Sequence, residues 1–299
     1  MQWNKEGLVL QAAGQAHWMA THAALPAVDT AADPLRLYFT SRDRQGRSHI
    51  GVATLDLGGD HRAITISPDP ILSPGPLGAF DDAGVTGSCI VGHEGRHYLY
   101  YTGWSLGVSV PFYLSAGLAV SDNGTTFHRI SPAPLLERTA VDPYLTASPW
   151  VVVDGDVWRM WYVSGTEWES IEGRPRHRYL IRYAESMDGQ HWNRPGTVCL
   201  GYRDAAEYAF GRPCVILEDG RFRMWYSSRG ERYRLGYAES EDGVNWVRND
   251  AQAGLLPSAE GWDSEMVTYP MVFRHHGRLH MLYNGNGYGR SGIGLATAA

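Results

Sequence analysis

The chain has 299 residues, 12% of them aromatic and 19% charged, enough to bury a sizeable core. A net charge of −6 argues against a nucleic-acid partner held by charge, and the short, interrupted apolar runs argue against membrane-spanning helices. Three scattered cysteines (Cys89, Cys199, Cys214) with no CxxC, and an N-terminus without a signal-peptide pattern, point to reduced thiols and a cytoplasmic protein. The only lysine, Lys5, leaves little room for Schiff-base chemistry.

The first strand-like run is "QWNKEGLVL" at residues 2–10. Its Trp3, Asn4 and Gly7 match Trp192, Asn193 and Gly196 in "HWNRPGTVCL". A repeat follows. Its first unit holds "ALPAVD" from Ala24, "RLYFTSR" from Arg36 and "HIGVATLD" from His49. The second holds "TGSCIV" from Thr86, "HYLYYTG" from His97 and "LSAGLAVSD" from Leu114. The third holds "ASPWVVV" from Ala147, "RMWYVSG" from Arg159 and "LIRYAESMD" from Leu180. The fourth holds "GRPCVIL" from Gly211, "RMWYSSR" from Arg223 and "LGYAESED" from Leu235, and the fifth "TYPMVF" from Thr268, "HMLYNGN" from His280 and "GIGLATA" from Gly292.

These runs are short, alternating, and rich in aromatic and β-branched residues, with Gly, Asp and Asn at the turns. The hairpins "SMDGQHW" and "SEDGVNW" close a third strand and begin a fourth. Four-stranded units repeated five times predict an all-β fold, a five-bladed β-propeller with four antiparallel strands per blade, as one domain over residues 1–299. The fifth unit lacks a fourth strand, and residues 2–10 are expected to supply it as the outer strand, which would cover an open sheet edge.

In such a propeller one face carries the connection into the innermost strand and the loop between the second and third strands. The loops there are long and rich in Trp, Tyr, Arg and Asn: "SRDRQGRS", "GWSLGVSVPFYLS", "SGTEWESIEGRPRHR", "SSRGERYR" and "NGNGYGRS". Long loops on a rigid scaffold are where function usually sits.

Aligning the inner strands on Pro26, Ser88, Pro149, Pro213 and Pro270 places acids five to seven positions upstream in four units: Asp81 and Asp82, Asp142, Glu207, and Asp263 with Glu265. They are expected to converge on one central pocket, although an Asp ahead of a strand also serves as a turn or cap residue. The first unit has His22 instead. Arg212 and Tyr269, just before their prolines, are expected slightly deeper. Trp158, Trp161, Trp192, Trp225 and Trp246 repeat in register and read as packing residues. His275, His276 and His280 do not form a metal site, and no ligand spacing argues for an axial calcium, so no cofactor is expected.

With its five repeats, its Asp-Gly hairpins and the acids ahead of its inner strands, the whole chain resembles the five-bladed propeller glycoside hydrolases of families 32, 43, 62, 68 and 130. Its last unit is similar to an uncharacterised, glycosidase-like subgroup. The resemblance implies a carbohydrate substrate and cleavage of a glycosidic bond in an oligosaccharide or glycoconjugate. In that chemistry one carboxylic acid protonates the leaving oxygen, and a second carboxylate activates water or attacks the sugar. Glu207 and Glu265 are the expected pair, with Asp82, Asp142 and Asp263 as modulators or substrate ligands. His22, Asp81, Trp104, Trp168, Arg212, Tyr269, Asn284, Asn286 and Arg290 are expected to bind substrate.

The chain also departs from the pattern. Family 43 enzymes carry their general base, an Asp, at the start of the first blade, and family 32 enzymes their nucleophile, where this chain reads "MATHAALPAVD", with Asp29 only after the proline. Two alternatives therefore stand beside hydrolysis. One is carbohydrate binding without catalysis. The other is phosphorolysis or transglycosylation, with His22, Arg212 and Arg290 as phosphate contacts.

Overall fold

A computed structural model describes residues 1–12, 14–58 and 64–299. The strands in chain order are β1 (Trp3–Leu10), β2 (Thr21–Asp29), β3 (Leu35–Arg42), β4 (Ser48–Leu55), β5 (Ile64–Ile66), β6 (Gly84–His93), β7 (Arg96–Leu106), β8 (Phe112–Ser121), β9 (His128–Arg129) and β10 (Leu145–Asp154). They continue as β11 (Val157–Ile171), β12 (Arg174–Ser186), β13 (Val198–Leu200), β14 (Ala209–Glu218), β15 (Arg221–Arg229), β16 (Tyr233–Ser240), β17 (Val247–Arg248), β18 (Thr268–His275), β19 (Arg278–Asn284) and β20 (Ile293–Ala298). A single helical turn, α1 (Asn286–Gly289), lies between β19 and β20.

Three sheets have four strands each, in the orders β10-β11-β12-β13, β14-β15-β16-β17 and β1-β20-β19-β18. An eight-stranded sheet holds the rest. It consists of two antiparallel sets, β2 to β5 and β6 to β9, joined by one parallel pair, Ser48 with Gly84. The N-terminal strand β1 runs antiparallel to β20, from Trp3 opposite Ala298 to Leu10 opposite Ile293.

Local chemistry makes the hairpins. In "SMDG" the Asp188 carboxylate accepts the Gln190 and His191 N–H groups at 2.8 Å, and the Ser186 hydroxyl accepts from Gly189 at 2.9 Å. Gly189 has φ 71°, a value that favours glycine. "SEDG" repeats this turn with Ser240, Asp242 and Gly243, and "SDNG" with Ser121, Asn123 and Gly124.

These turns also tie the units together. The Tyr38 hydroxyl donates to the Gly124 carbonyl, the Tyr100 hydroxyl to that of Gly189, and the Trp161 Nε1 to that of Gly243, at 2.7–2.8 Å. Each bond runs from a second strand of one unit to the outer hairpin of the next.

The innermost strands β2, β6, β10, β14 and β18 contact one another in that order, and β18 also contacts β2. Every one carries a register shift against its partner strand near the aligned position. Four hold a non-glycine residue in the left-handed region there: Leu25 (φ 53°), Ser148 (47°), Arg212 (47°) and Tyr269 (54°), each just before a proline. Such bulges re-aim side chains at the cost of local strain.

Neighbouring units stabilise these bulges. Thr40 Oγ1 accepts the Gly87 N–H, Thr102 Oγ1 that of Ser148, Ser227 Oγ that of Tyr269, and Asn284 Oδ1 that of Leu25, at 2.8–3.0 Å. Val163 stands at the matching position of the third unit and has no hydroxyl. The core lies between the sheet faces and holds the fully buried Trp18, Trp161, Trp225 and Tyr162. All three cysteines are free and buried.

Candidate ligand pocket

At one end of the innermost strands lies a cavity of about 410 Å³. The bulged positions Leu25, Ser148 and Tyr269 open into it, and each of the five long loops contributes to its wall. Arg42 comes from the first loop, Trp104 and Phe112 from the second, His177 from the third, Arg229 and Tyr233 from the fourth, and Tyr288 from the fifth. Among the described residues, no carboxylate lines it.

The wall is built from stacked rings. His177 lies face to face on Tyr179 with centroids 4.0 Å apart, and Phe112 and Trp168 pack around it. The Arg229 guanidinium sits 5.2–5.6 Å from the ring centres of Tyr208, Tyr233 and Tyr288. Two buried nitrogens here, His177 Nε2 and Arg229 Nε, have no hydrogen-bond partner. Burial, and then the charges of Arg229 and Arg176, push His177 down to about 4. Burial, and then the charges of Arg42 and Arg290, push His22 down to about 4. Both imidazoles are therefore neutral near pH 7.

Trp104 and Tyr269 line the pocket as expected from the sequence, and the Trp104 Nε1 donates to Ser48 Oγ at 2.7 Å. Trp168 stands behind the wall, against Phe112 and His177. His22 and Arg290 do not line the cavity; their electrostatic coupling places them near one another beside Arg42.

The acids do not converge. Asp81, Asp142, Glu207 and Asp263 are each buried in their own unit with their own partners. Asp81 accepts from the Tyr101 hydroxyl at 3.2 Å and from Arg129 at 2.8 Å. Asp142 accepts from Tyr162, from Ser164 at 2.6 Å and from Arg194 at 2.9 Å. Asp263 accepts from Tyr283 at 3.0 Å and from Lys5 at 2.5 Å. Glu207 accepts from Ser228, from the Arg203 N–H and from both terminal nitrogens of Arg248, while Tyr226 donates to Asp250.

The cation comes from the outer strand or just beyond the third strand, and the tyrosine from the second strand. Burial raises the Glu207 and Asp263 carboxyls, but their hydrogen-bond donors outweigh it and hold both below the ordinary carboxylate range. A general acid needs the opposite shift.

The remaining expectations change as well. Asp82 accepts the Gly78 N–H in its own loop. Glu265 is 63% exposed, 3.7 Å from Arg232, and does not line the pocket. Asn284 is fully buried and donates to the Ala23 and Gly292 carbonyls, and Asn286 accepts the Glu265 and Met266 N–H groups and donates to Gly261. Both asparagines therefore hold backbone.

Arg212 is fully buried between inner strands. It donates to the Pro26 and Gly87 carbonyls, and its guanidinium lies 5.9 Å from the Trp150 ring centre. It cannot serve as an open phosphate contact. Asp29 pairs with Arg36 and His97 at the far end of β2. Sequence reasoning missed Arg42, His177, Arg229, Tyr233 and Tyr288. Their one signal was their place in the long loops.

No protein-family model matches the chain. Two Mycobacterium tuberculosis proteins described as uncharacterized do: MT1551 of strain CDC 1551 / Oshkosh, 42% identical, and Rv1502 of strain ATCC 25618 / H37Rv, 41% identical. Each alignment covers 99% of both chains.

The chain belongs to their family.

Among solved structures, the fold is similar to that of a protein described as a glycoside hydrolase, with a TM-score of 0.77 at 19% identity over 99% of this chain and 91% of that one. It is also similar to a thermostable family-43 glycoside hydrolase, with a TM-score of 0.68 at 18% identity over 93% and 88%. A glycosyl hydrolase from Bacteroides ovatus gives 0.72 at 15% over 98% and 91%. This family therefore has the glycoside hydrolase-like propeller fold. No helix among the described residues is long and apolar enough to cross a membrane.

Proposed function

We propose that this chain is a five-bladed, glycoside hydrolase-like propeller that takes a carbohydrate into the pocket at the centre of its blades. The observation that carries this reading is the cavity itself. It is bounded by inner strands and loops of all five units, and it falls in the size range of small-molecule sites. Tyr, Trp and Phe rings offer faces to sugar C–H surfaces, and Arg, His and phenol groups offer hydrogen bonds to hydroxyls.

The chemistry differs from cleavage by two side-chain carboxylates. The groups in the wall able to move a proton are His177 and the phenols of Tyr179, Tyr233, Tyr269 and Tyr288. A neutral His177 with a free, buried Nε2 can hydrogen-bond a bound hydroxyl or water, but its lowered basicity makes it a weak proton acceptor near pH 7. Its place in the wall makes His177 the first residue to replace.

The test is a saccharide panel scored by calorimetry for binding and by released reducing sugar for turnover, with and without phosphate. Trp104→Ala and Tyr233→Ala should weaken binding at least tenfold, and His177→Gln should lower both binding and any turnover. Saccharide binding that survives both pocket substitutions but is lost in a folded Asp142→Asn variant would sink the reading.

A further inference from the structure

We propose that the saccharide taken by this pocket carries an anionic group, either a carboxylate or a phosphate or sulfate ester. The inference rests on the pocket reading above and names the substrate class for that site.

The argument begins with an imbalance of charge. Arg42 and Arg229 both line the cavity, and no carboxylate does, among the described residues. Neither arginine pairs with a carboxylate among those residues, nor does Arg290 near His22. Four other buried or half-buried arginines have acids: Arg129 with Asp81, Arg194 with Asp142, Arg248 with Glu207, and Arg178 with Glu169, whereas Arg182 donates to a backbone carbonyl.

Arg229 is held instead over three neutral phenol rings. Ring faces attract a cation without cancelling its charge. Its Nε and the neighbouring His177 Nε2 are buried donors or acceptors with nothing to bond, and such groups are costly unless a ligand completes them.

Beneath the pocket the buried Arg212 adds another positive charge, answered only by backbone carbonyls and a tryptophan ring. Burial is the larger cause of the lowered basicity of His177, and the charges of Arg229 and then Arg176 add to it. A planar guanidinium in a partly shielded site gives its strongest hydrogen bonds to an anion. A neutral sugar would leave the charge uncompensated.

The experiment uses the full chain and five probes: glucose, glucuronic acid, glucose 6-phosphate, inorganic phosphate and inorganic sulfate. Binding is measured by calorimetry at low and moderate salt. One or both acidic sugars should bind at least tenfold more tightly than glucose, and the preference should shrink as salt rises. Arg229→Gln should weaken the acidic sugars at least tenfold more than it weakens glucose, and so remove the preference. Arg42→Gln, at an exposed position, repeats the test should Arg229→Gln fail to fold.

Comparing glucuronic acid with glucose 6-phosphate separates the carboxylate from the phosphate source. Equal binding of glucose and both acidic sugars, unchanged in folded Arg229→Gln, overturns the anionic assignment and leaves the pocket reading standing. Binding of inorganic phosphate or sulfate with no sugar overturns the saccharide reading and retains the anion site. No binding by any probe overturns both.

Discussion

The pocket and the four acid clusters hold opposite halves of the molecule's electrostatics. In the clusters a buried carboxylate meets hydroxyls and a cation from the same unit. In the pocket, arginines face a cavity with no carboxylate in its wall among the described residues. Buried charges persist in folded proteins when they are paired. The clusters satisfy that rule internally, and the pocket leaves its charge to be met from outside.

The first unit shows that each cluster behaves as a set. It lacks the acid, it has Phe39 where the others have Tyr101, Tyr162, Tyr226 and Tyr283, and its outer strand β5 reads Ile-Thr-Ile with no cation. Phe39 packs on Trp18 instead. The chain's one lysine serves the fifth unit's cluster, where the others use arginine.

The comparison is broken most directly by Asp142→Ala. Asp142 is fully buried, and its loss strands the Tyr162 and Ser164 hydroxyls and the Arg194 guanidinium. Removing one partner of such a pair costs about 3–5 kcal/mol. Urea unfolding should show that loss, while the folded fraction keeps its saccharide affinity.

Acidification should separate the two regions next. His22 and His177 fall from 6.5 to about 4, so below pH 6.5 the unfolded chain takes up protons that the folded chain refuses. Stability should therefore decline as pH falls from 6.5 to 4, by about 2 kcal/mol in all after allowance for partial exposure. Glu207 and Asp263 act later. Their folded values are depressed, so the stability they confer is present above about pH 4 and is lost as pH falls through their folded values. Denaturant titrations of wild type and His177→Gln at pH 7, 5.5 and 4 check this order. A wild-type profile flat between pH 6.5 and 4 would count against buried neutral imidazoles.

Much of the fold was legible because its signals are local and repeated. Asp-Gly hairpins, paired aromatics in second strands and prolines in inner strands mark the units without tertiary information. The match of residues 2–10 to residues 191–200 corresponds to the pairing of β1 with β20. The five loops of the pocket wall were legible too.

The site residues were not, for two physical reasons. An acid ahead of an inner strand reads the same whether it faces the axis or a tyrosine in its own unit. The bulge at Leu25, Ser148, Arg212 and Tyr269 then shifts the phase of side-chain alternation, so counting residues along the strand misplaces what faces inward.

Phe39→Tyr sharpens the cluster argument at smaller cost. The new hydroxyl would enter a fully buried site in the one unit that has no acid to receive it. A loss of about 1–3 kcal/mol is expected from an unsatisfied buried hydroxyl. A neutral effect in thermal unfolding would mean that the tyrosine and its carboxylate are not coupled.

The smallest effect is expected at Glu265, the residue that the sequence places in a catalytic pair. Its carboxylate is mostly exposed, Arg232 stands 3.7 Å away on the surface, and its backbone is held by Asn286 and by Arg234. Glu265→Gln should change stability by no more than about 0.5 kcal/mol and leave saccharide affinity and any turnover intact, as read by calorimetry and reducing-sugar release. A large loss of turnover in a folded Glu265→Gln protein would restore the carboxylate mechanism. It would also require the loop at residues 261–266 to move toward the pocket when substrate binds, since the side chain stands outside the cavity wall.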